Sequence, residues 1–334
     1  MKVALVGAGK RGLLHLQAYR ACREVEIVGV CDLVRERAEA LASGFSARPY
    51  TMLSDMLTKE KIDIVSICTA GAEGGSHHFA PMHLCHEAGK HVLCETPLSN
   101  HLVEAQEMVQ RAQERGLYLG MAFCQRFSPL AQKAREWIME GRLGQLLLVN
   151  AAVWADVPQD RTEWHHLRAH HSESFDLLRY FCGEVVKAHS FCNRSFQKGC
   201  TEERTTWSNL QVNLLFNSGV VGHLTASCDG NPRLEESRFE VMGTQGRLVL
   251  QNYGESLCFY PREGDEVQIF SKALRVEAQE QAIYNRVRRF VTQVYQGVPL
   301  RELEANGEDA LAAQEILEAI SASWEGDSIQ EITL

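Results

Sequence analysis

The chain has 334 residues, 45% of them hydrophobic and 23% charged, with a formal charge of −9 from 43 acidic against 34 basic side chains. That length exceeds what one hydrophobic core usually holds, so two domains are expected, and the composition excludes disorder. The negative balance repels polyanions, so neither nucleic acid nor a membrane surface is expected as a partner. Lys2–Val6 is a short β-branched run ending at Gly7, and a helical pattern follows through Leu13, Leu14, Leu16, Ala18 and Cys22. Strands are expected at Val25–Cys31, near Arg48–Tyr50, and at Ile62–Cys68, His91–Cys94 and Leu117–Met121. Helices are expected between them at Arg35–Ser43, Leu53–Lys59, Ala80–Ala88 and Leu102–Glu114. These strands are nearly continuous apolar runs, the pattern of strands covered by helices on both faces. The fold class is therefore α/β, with an N-terminal doubly wound parallel sheet.

Beyond residue 122 the pattern changes. Helices are expected at Leu130–Glu140 and Ser172–Phe181, and at Ala278–Tyr295 and Gly307–Trp324 near the end. Strands are expected at Gln145–Val153, Val185–Asn193, Thr206–Phe216, Val220–Ser227, Arg238–Met242, Arg247–Gln251 and Ser256–Tyr260. The domains are drawn as 1–122 and 123–334, with no flexible linker and the final helices packing back towards the first domain. The eleven cysteines include no C-x-x-C pair and several lie in apolar runs, as reduced buried thiols do. No signal-peptide pattern opens the chain and no apolar run approaches ~18 residues, so a cytoplasmic location is expected.

Gly7-Ala8-Gly9-Lys10-Arg11-Gly12 is a G-x-G-x-x-G sequence placed where a strand ends and a helix begins. In that context the first glycine permits a tight turn, the second lets backbone approach a pyrophosphate, and the third lets helix pack on strand. Asp32 ends the second strand, where a carboxylate accepts ribose hydroxyls and repels an additional phosphate. NAD is therefore the expected cofactor, ahead of NADP, although Arg35 and Arg37 lie close by.

Ala88-Gly89-Lys90-His91-Val92-Leu93-Cys94-Glu95-Thr96-Pro97 resembles the A-G-K-H-V-x-x-E-K-P segment of the Gfo/Idh/MocA oxidoreductases. Thr69 and His78, Arg126-Phe127-Ser128-Pro129, Gly141–Gly144, Phe239–Gly246 and Asp309–Ser323 resemble further segments of that family along the whole chain. The resemblance implies a C-terminal α+β domain with a large, mainly antiparallel sheet, through which homo-dimers or homo-tetramers form. It also implies hydride transfer between NAD(H) and a secondary alcohol of a sugar, inositol or glycoside. The cofactor set it implies is Gly7, Gly9, Lys10, Arg11, Gly12, Asp32, Arg37, Thr69, His78, Glu95, Thr96, Pro97 and Arg126. His78, with His77, is also expected to cap the helix that follows it.

Two departures stand out. Thr96 takes the place of the motif's lysine, and in the family's D-x-G-x-H-x-x-D segment Ala169 and Glu173 take the places of the aspartate and histidine ahead of Asp176. Threonine has no charge to stabilise an alkoxide and no useful pKa. The segment from Trp164 to Glu173 holds His165, His166, His170 and His171 just before a helix. A histidine at a helix N-terminus stays neutral and available as a base, so His170 or His171 is expected to take the proton, with Glu173 orienting it. Trp154 and Trp164 either stack on the sugar or are buried in the core or an interface, Arg126 either fixes a substrate or cofactor oxygen or makes a structural ion pair, and Asp176 is expected to contact the substrate. A metal reading of His166 with His170, or of His83, Cys85 and His86, lacks a recognisable motif, and no metal is expected. A redox-neutral glycoside-cleaving enzyme and a silent nicotinamide-binding sensor are the competing functions.

Overall fold

The computed structural model describes residues 1–70, 77–155, 162–195, 203–229, 236–264, 266–271 and 275–332, less the side chains of 275–277. The chain divides into two units, Met1–Cys124 with Ile283–Leu311, and Gln125–Ala282 with Ala312–Leu334.

The first unit is built on β1 (Lys2–Val6), β2 (Glu26–Cys31), β3 (Arg48–Tyr50), β4 (Ile64–Ile67), β5 (His91–Cys94) and β6 (Leu119–Met121). All neighbours pair parallel in the order β3-β2-β1-β4-β5-β6. The helices α1 (Lys10–Arg20), α2 (Arg35–Ser43), α3 (Leu53–Lys59), α4 (Phe79–Glu87) and α5 (Leu102–Glu114) connect the strands. Val3, Ala4, Leu5, Ile64, Val65 and Ile67 are fully buried, which accounts for the unbroken apolar runs in the sequence. The chain order reverses between β1 and β4, and this switch point is where open α/β sheets take ligands at their carboxyl edge.

The second unit holds a nine-stranded sheet. Its strands are β7 (Leu146–Trp154), β8 (Val185–Asn193), β9 (Asn209–Phe216), β10 (Val221–Ser227), β11 (Glu236–Gly243), β12 (Gly246–Gln251), β13 (Ser256–Pro261), β14 (Gln268–Ser271) and β15 (Gln330–Glu331). The order is β14-β13-β12-β11-β7-β10-β9-β8-β15, antiparallel except for the β7–β10 pair. Burial alternates along β9, with Leu210, Val212, Leu214 and Phe216 inward and Gln211 and Asn213 outward. One face therefore packs on helices and the other stays open. The covering helices include α6 (Pro129–Met139), α7 (His165–His170), α8 (Ser172–Cys182) and the end of α10 (Gly307–Gly326), which bury Trp137, Phe175, Phe181 and Ile320 against the sheet. The remaining helix, α9, spans Arg275–Gln296.

The expected α/β class and the large antiparallel sheet are both present. The structure adds β14, β15 and α7, none of which the sequence pattern indicates. Edge strand β14 is exposed throughout and β15 has two residues, so neither carries a burial pattern to read. No helix among the described residues is long and apolar enough to cross a membrane.

Candidate active site

The glycine loop explains itself residue by residue. Gly7 has φ +99°, and a Cβ there would lie 2.7 Å from the carbonyl of Cys68 and 2.9 Å from the amide of Thr69. Only glycine lets the β1–α1 turn lie against the end of β4. At Gly12 a Cβ would sit 2.2 Å from the Gly7 carbonyl oxygen, so α1 could not start where it does. Gly9 differs: a Cβ there meets nothing within 4 Å. It is the N-cap of α1, with no side-chain capping bond, so the first amides of the helix are left to an anion.

Asp32 closes the other half of this loop. Its Oδ2 accepts from the Ala8 amide at 2.8 Å and its Oδ1 from the Val34 amide at 2.9 Å. The carboxylate is half-buried, and each oxygen keeps a lone pair for a ribose hydroxyl. Leu33 is 90% exposed, while Arg35 pairs with Glu39 at 3.6 Å along its own helix. Lys10, Arg11 and Arg37 are exposed. An open Gly9, uncapped amides and a pre-positioned acid on the neighbouring strand together fit a dinucleotide.

Beyond β4 the residues serve the loop's shape. Thr69 Oγ1 donates to the His77 carbonyl at 2.8 Å. His78 is 1% exposed, its Nε2 2.6 Å from the Thr69 carbonyl and its Nδ1 2.9 Å from that of Pro97. Burial lowers its pKa more than the facing carbonyls raise it. One expectation is corrected here: His78 makes no side-chain cap on α4, and its ring nitrogens face the backbone carbonyls of Pro97 and Thr69. It buckles two loops at the carboxyl edge of the sheet. Thr96 is half-buried just past β5, and Pro97 is buried.

Sequence reasoning missed a buried polar chain beneath the glycine loop. His15 Nε2 lies 2.9 Å from Glu95 Oε1, His15 Nδ1 lies 3.1 Å from Ser66 Oγ, and Tyr19 Oη lies 2.7 Å from the same Ser66 Oγ. The signal available was a histidine on the apolar face of α1, three residues past Gly12. Its carboxylate partner is 80 residues away, too far for spacing to reveal.

In the second unit, α7 gathers the histidines. His166 and His171 are fully buried, with Nε2 atoms 3.1 Å apart, and the His170 ring lies 6.2 Å from that of His166. Burial, helped by neighbouring histidines, pushes His166 down to about 3, His170 to about 4, and His171 well below the usual imidazole range. The expected neutrality is there, but desolvation leads its causes rather than a helix dipole. His171 is sealed inside, whereas His170 keeps exposed surface although the protein packed around its ring desolvates it.

The low values of His166 and His171 have a thermodynamic consequence. Unfolded imidazoles titrate near 6.5, so below that pH the unfolded chain binds protons that the folded chain refuses. Stability is complete above that value and is lost as pH falls from there towards about 3. We expect Tm to drop by ~10 °C between pH 7 and 5, and His171→Asn to flatten that slope. Calorimetric melts across the range check this; a flat profile in the native chain contradicts it.

Three further candidate site residues are buried. Asp176 is 1% exposed and grips Arg126, itself 8% exposed; Arg126 Nε donates to Asp176 Oδ2 at 2.7 Å, and Nη2 donates to Oδ1. The Arg126 guanidinium also lies 5.1 Å over the Tyr180 ring. The two side chains form a buried ion pair. Trp164 is 5% exposed, donates to Glu325 Oε1 at 3.0 Å and packs 6.1 Å from Trp207, which makes it core. Trp154 is half-buried at the end of β7, and Glu173 is half-buried in the first turn of α8. Among the described residues, His15, Cys68 and Glu95 are the group whose ligand atoms come within 4.8 Å of one another; the α7 histidines do not.

With this geometry in view, comparison with known proteins is informative. Residues 1–123 match the model of the oxidoreductase family with an NAD-binding Rossmann fold, and residues 131–249 match the GFO/IDH/MocA C-terminal domain. A 4-carboxy-2-hydroxymuconate-6-semialdehyde dehydrogenase of Sphingobium sp. is 30% identical over 57% of this chain, which spans 62% of that relative's length. The myo-inositol 2-dehydrogenase of Thermotoga maritima is 23% identical over 93% of both chains. An oxidoreductase from Agrobacterium radiobacter, solved with NAD+, L-tartaric acid and magnesium, shares the fold with a TM-score of 0.87, 18% identity and coverage of 99% and 98%. The chain belongs to the Gfo/Idh/MocA family of oxidoreductases with an NAD-binding Rossmann domain.

Proposed function

We propose that this protein is an NAD(H)-dependent dehydrogenase that moves a hydride between nicotinamide and a secondary alcohol of a sugar, inositol or glycoside. The observation that carries this reading is the glycine loop, open only at Gly9, with Asp32 held beside it by the Ala8 amide. The inositol-acting relative that matches along nearly the whole chain supports a polyol as substrate. When bound, the cofactor accepts or delivers the hydride, and the protein supplies orientation and a base. Gly7, Gly9 and Gly12 would admit the pyrophosphate to the amides of α1, and Asp32 would hold the adenosine ribose.

We assign Thr96 to the position where relatives carry the motif's lysine, so the proton must pass to another group. His170, exposed and neutral at physiological pH, is that base in our reading, with Glu173 three residues on in the first turn of α8. The open face of the sheet, where Phe191 and Val221 stand among polar residues, is the surface we assign to self-association.

The test is a panel of inositols, free sugars and glycosides, followed by NADH absorbance. We expect NADH to accumulate with at least one polyol, and His170→Asn to lower kcat by ~100-fold or more while NAD+ affinity is unchanged. Turnover without NADH accumulation would favour redox-neutral cleavage instead. Unchanged kcat in the variant would remove His170 from the mechanism.

A further inference from the structure

The buried chain Tyr19–Ser66–His15–Glu95 permits a deduction about charge. Tyr19 is fully buried, and burial raises its pKa, so its hydroxyl is a neutral donor, and Ser66 Oγ is the acceptor 2.7 Å away. The Ser66 proton is then free to point at His15 Nδ1, 3.1 Å off. The ring proton of His15 consequently sits on Nε2 and is donated to Glu95 Oε1 at 2.9 Å. One direction of donation satisfies every member, and it ends on an ionised carboxylate. Burial raises the Glu95 pKa, but the His15 hydrogen bond and the Arg11 charge outweigh it, and the net shift is downward.

The groups that face Glu95 come from three elements: His15 and Arg11 on α1, Cys68 past β4, and His78 at the start of α4. Arg11 is exposed and its charge helps hold Glu95 ionised, whereas the Glu95 carboxylate itself is 9% exposed. An ionised carboxylate thus lies at this point of the sheet edge. Glu95 follows β5, on the opposite side of β1 from Asp32 and β2. If the adenosine ribose takes Asp32 and the pyrophosphate takes the glycine loop, the nicotinamide half falls on the β4–β5 side.

We propose that Glu95, held in place by His15, is a charge-selecting residue that favours the positively charged nicotinamide of NAD+ over the neutral ring of NADH. This inference rests on the NAD-binding reading above and deepens it. A single carboxylate lining a poorly solvated site is enough to separate the two redox forms by about tenfold. Glu95 takes no proton from substrate in this role; it biases which form of the cofactor the enzyme holds.

Stripped protein is titrated with NAD+ by calorimetry and with NADH by nucleotide fluorescence. Glu95→Gln is expected to weaken NAD+ by about tenfold and NADH by less than about twofold. Ser66→Ala serves as a second variant that leaves Glu95 in place. It removes the hydroxyl that faces His15 Nδ1, so the ring loses the contact that fixes its hydrogen bond to Glu95. We expect it to weaken NAD+ relative to NADH by several-fold. Equal weakening of both nucleotides, or an unchanged ratio in either folded variant, overturns the proposal. If the unaltered chain binds neither nucleotide, the cofactor reading itself fails, which is a separate and distinguishable result.

Discussion

Replacing Gly9 with valine is expected to weaken NAD+ binding by several hundredfold while the apo protein melts nearly where it did. Gly9 has φ −88° and ψ −169°, a conformation open to any residue, and an added Cβ meets nothing within 4 Å. The free fold therefore tolerates the side chain, at a helix-capping cost of ~1 kcal/mol. The isopropyl group would instead fill the space that a pyrophosphate needs to reach the α1 amides. Losing two charge-assisted backbone bonds is worth about 3–4 kcal/mol, which gives the expected factor. Gly12→Ala is the informative contrast, because its Cβ would overlap the Gly7 carbonyl at 2.2 Å. That variant should lose stability as well as affinity. Calorimetry on both variants, with melts of the apo forms, separates the two glycine roles. An unchanged NAD+ affinity in Gly9→Val would mean that no ligand backbone passes there.

The second large effect is expected at Asp176. Removing its carboxylate takes the two-point ion pair from the Arg126 guanidinium, which is 8% exposed, and a neighbour 4.0 Å from Arg179, which also pairs with Glu184. Breaking a buried pair from one side typically costs ~3–5 kcal/mol, so Asp176→Ala should unfold at markedly lower urea concentration. The double variant Arg126→Met with Asp176→Leu should regain most of that loss, because neither charge is then left buried alone. Chemical denaturation of the three proteins checks this. Should Asp176→Ala keep full stability and lose only kcat/KM, the residue would return to the role of substrate contact.

Asp176 also marks the limit of sequence reading. A carboxylate at a family motif position looks like a ligand when its own partner, Arg126, lies 50 residues away and turns it inward. For Trp164 the sequence leaves a sugar platform and core burial open, and its contacts with Glu325 and Trp207 are what place it in the core. The histidine pair was legible as a cluster but not as two different sites. Only helix α7 shows that consecutive residues, one at its last turn and one just past it, point His170 outward and seal His171 inside. The first unit was more readable because its information is local. Strand, glycine turn and helix follow within twelve residues, and the apolar runs need no distant partner to be recognised. The His15–Glu95 chain was invisible for the opposite reason: its members come from α1, β4 and the end of β5.

The central claim is that the start of α1 and the carboxylate of Asp32 together hold a nicotinamide dinucleotide. Calorimetric titration of cofactor-stripped protein with NAD+ and NADP+ tests it most directly. We expect saturable uptake of one NAD+ per chain, with NADP+ at least ~10-fold weaker and Asp32→Ala erasing that preference. Heat traces indistinguishable from dilution for both nucleotides would contradict the claim and leave only the fold.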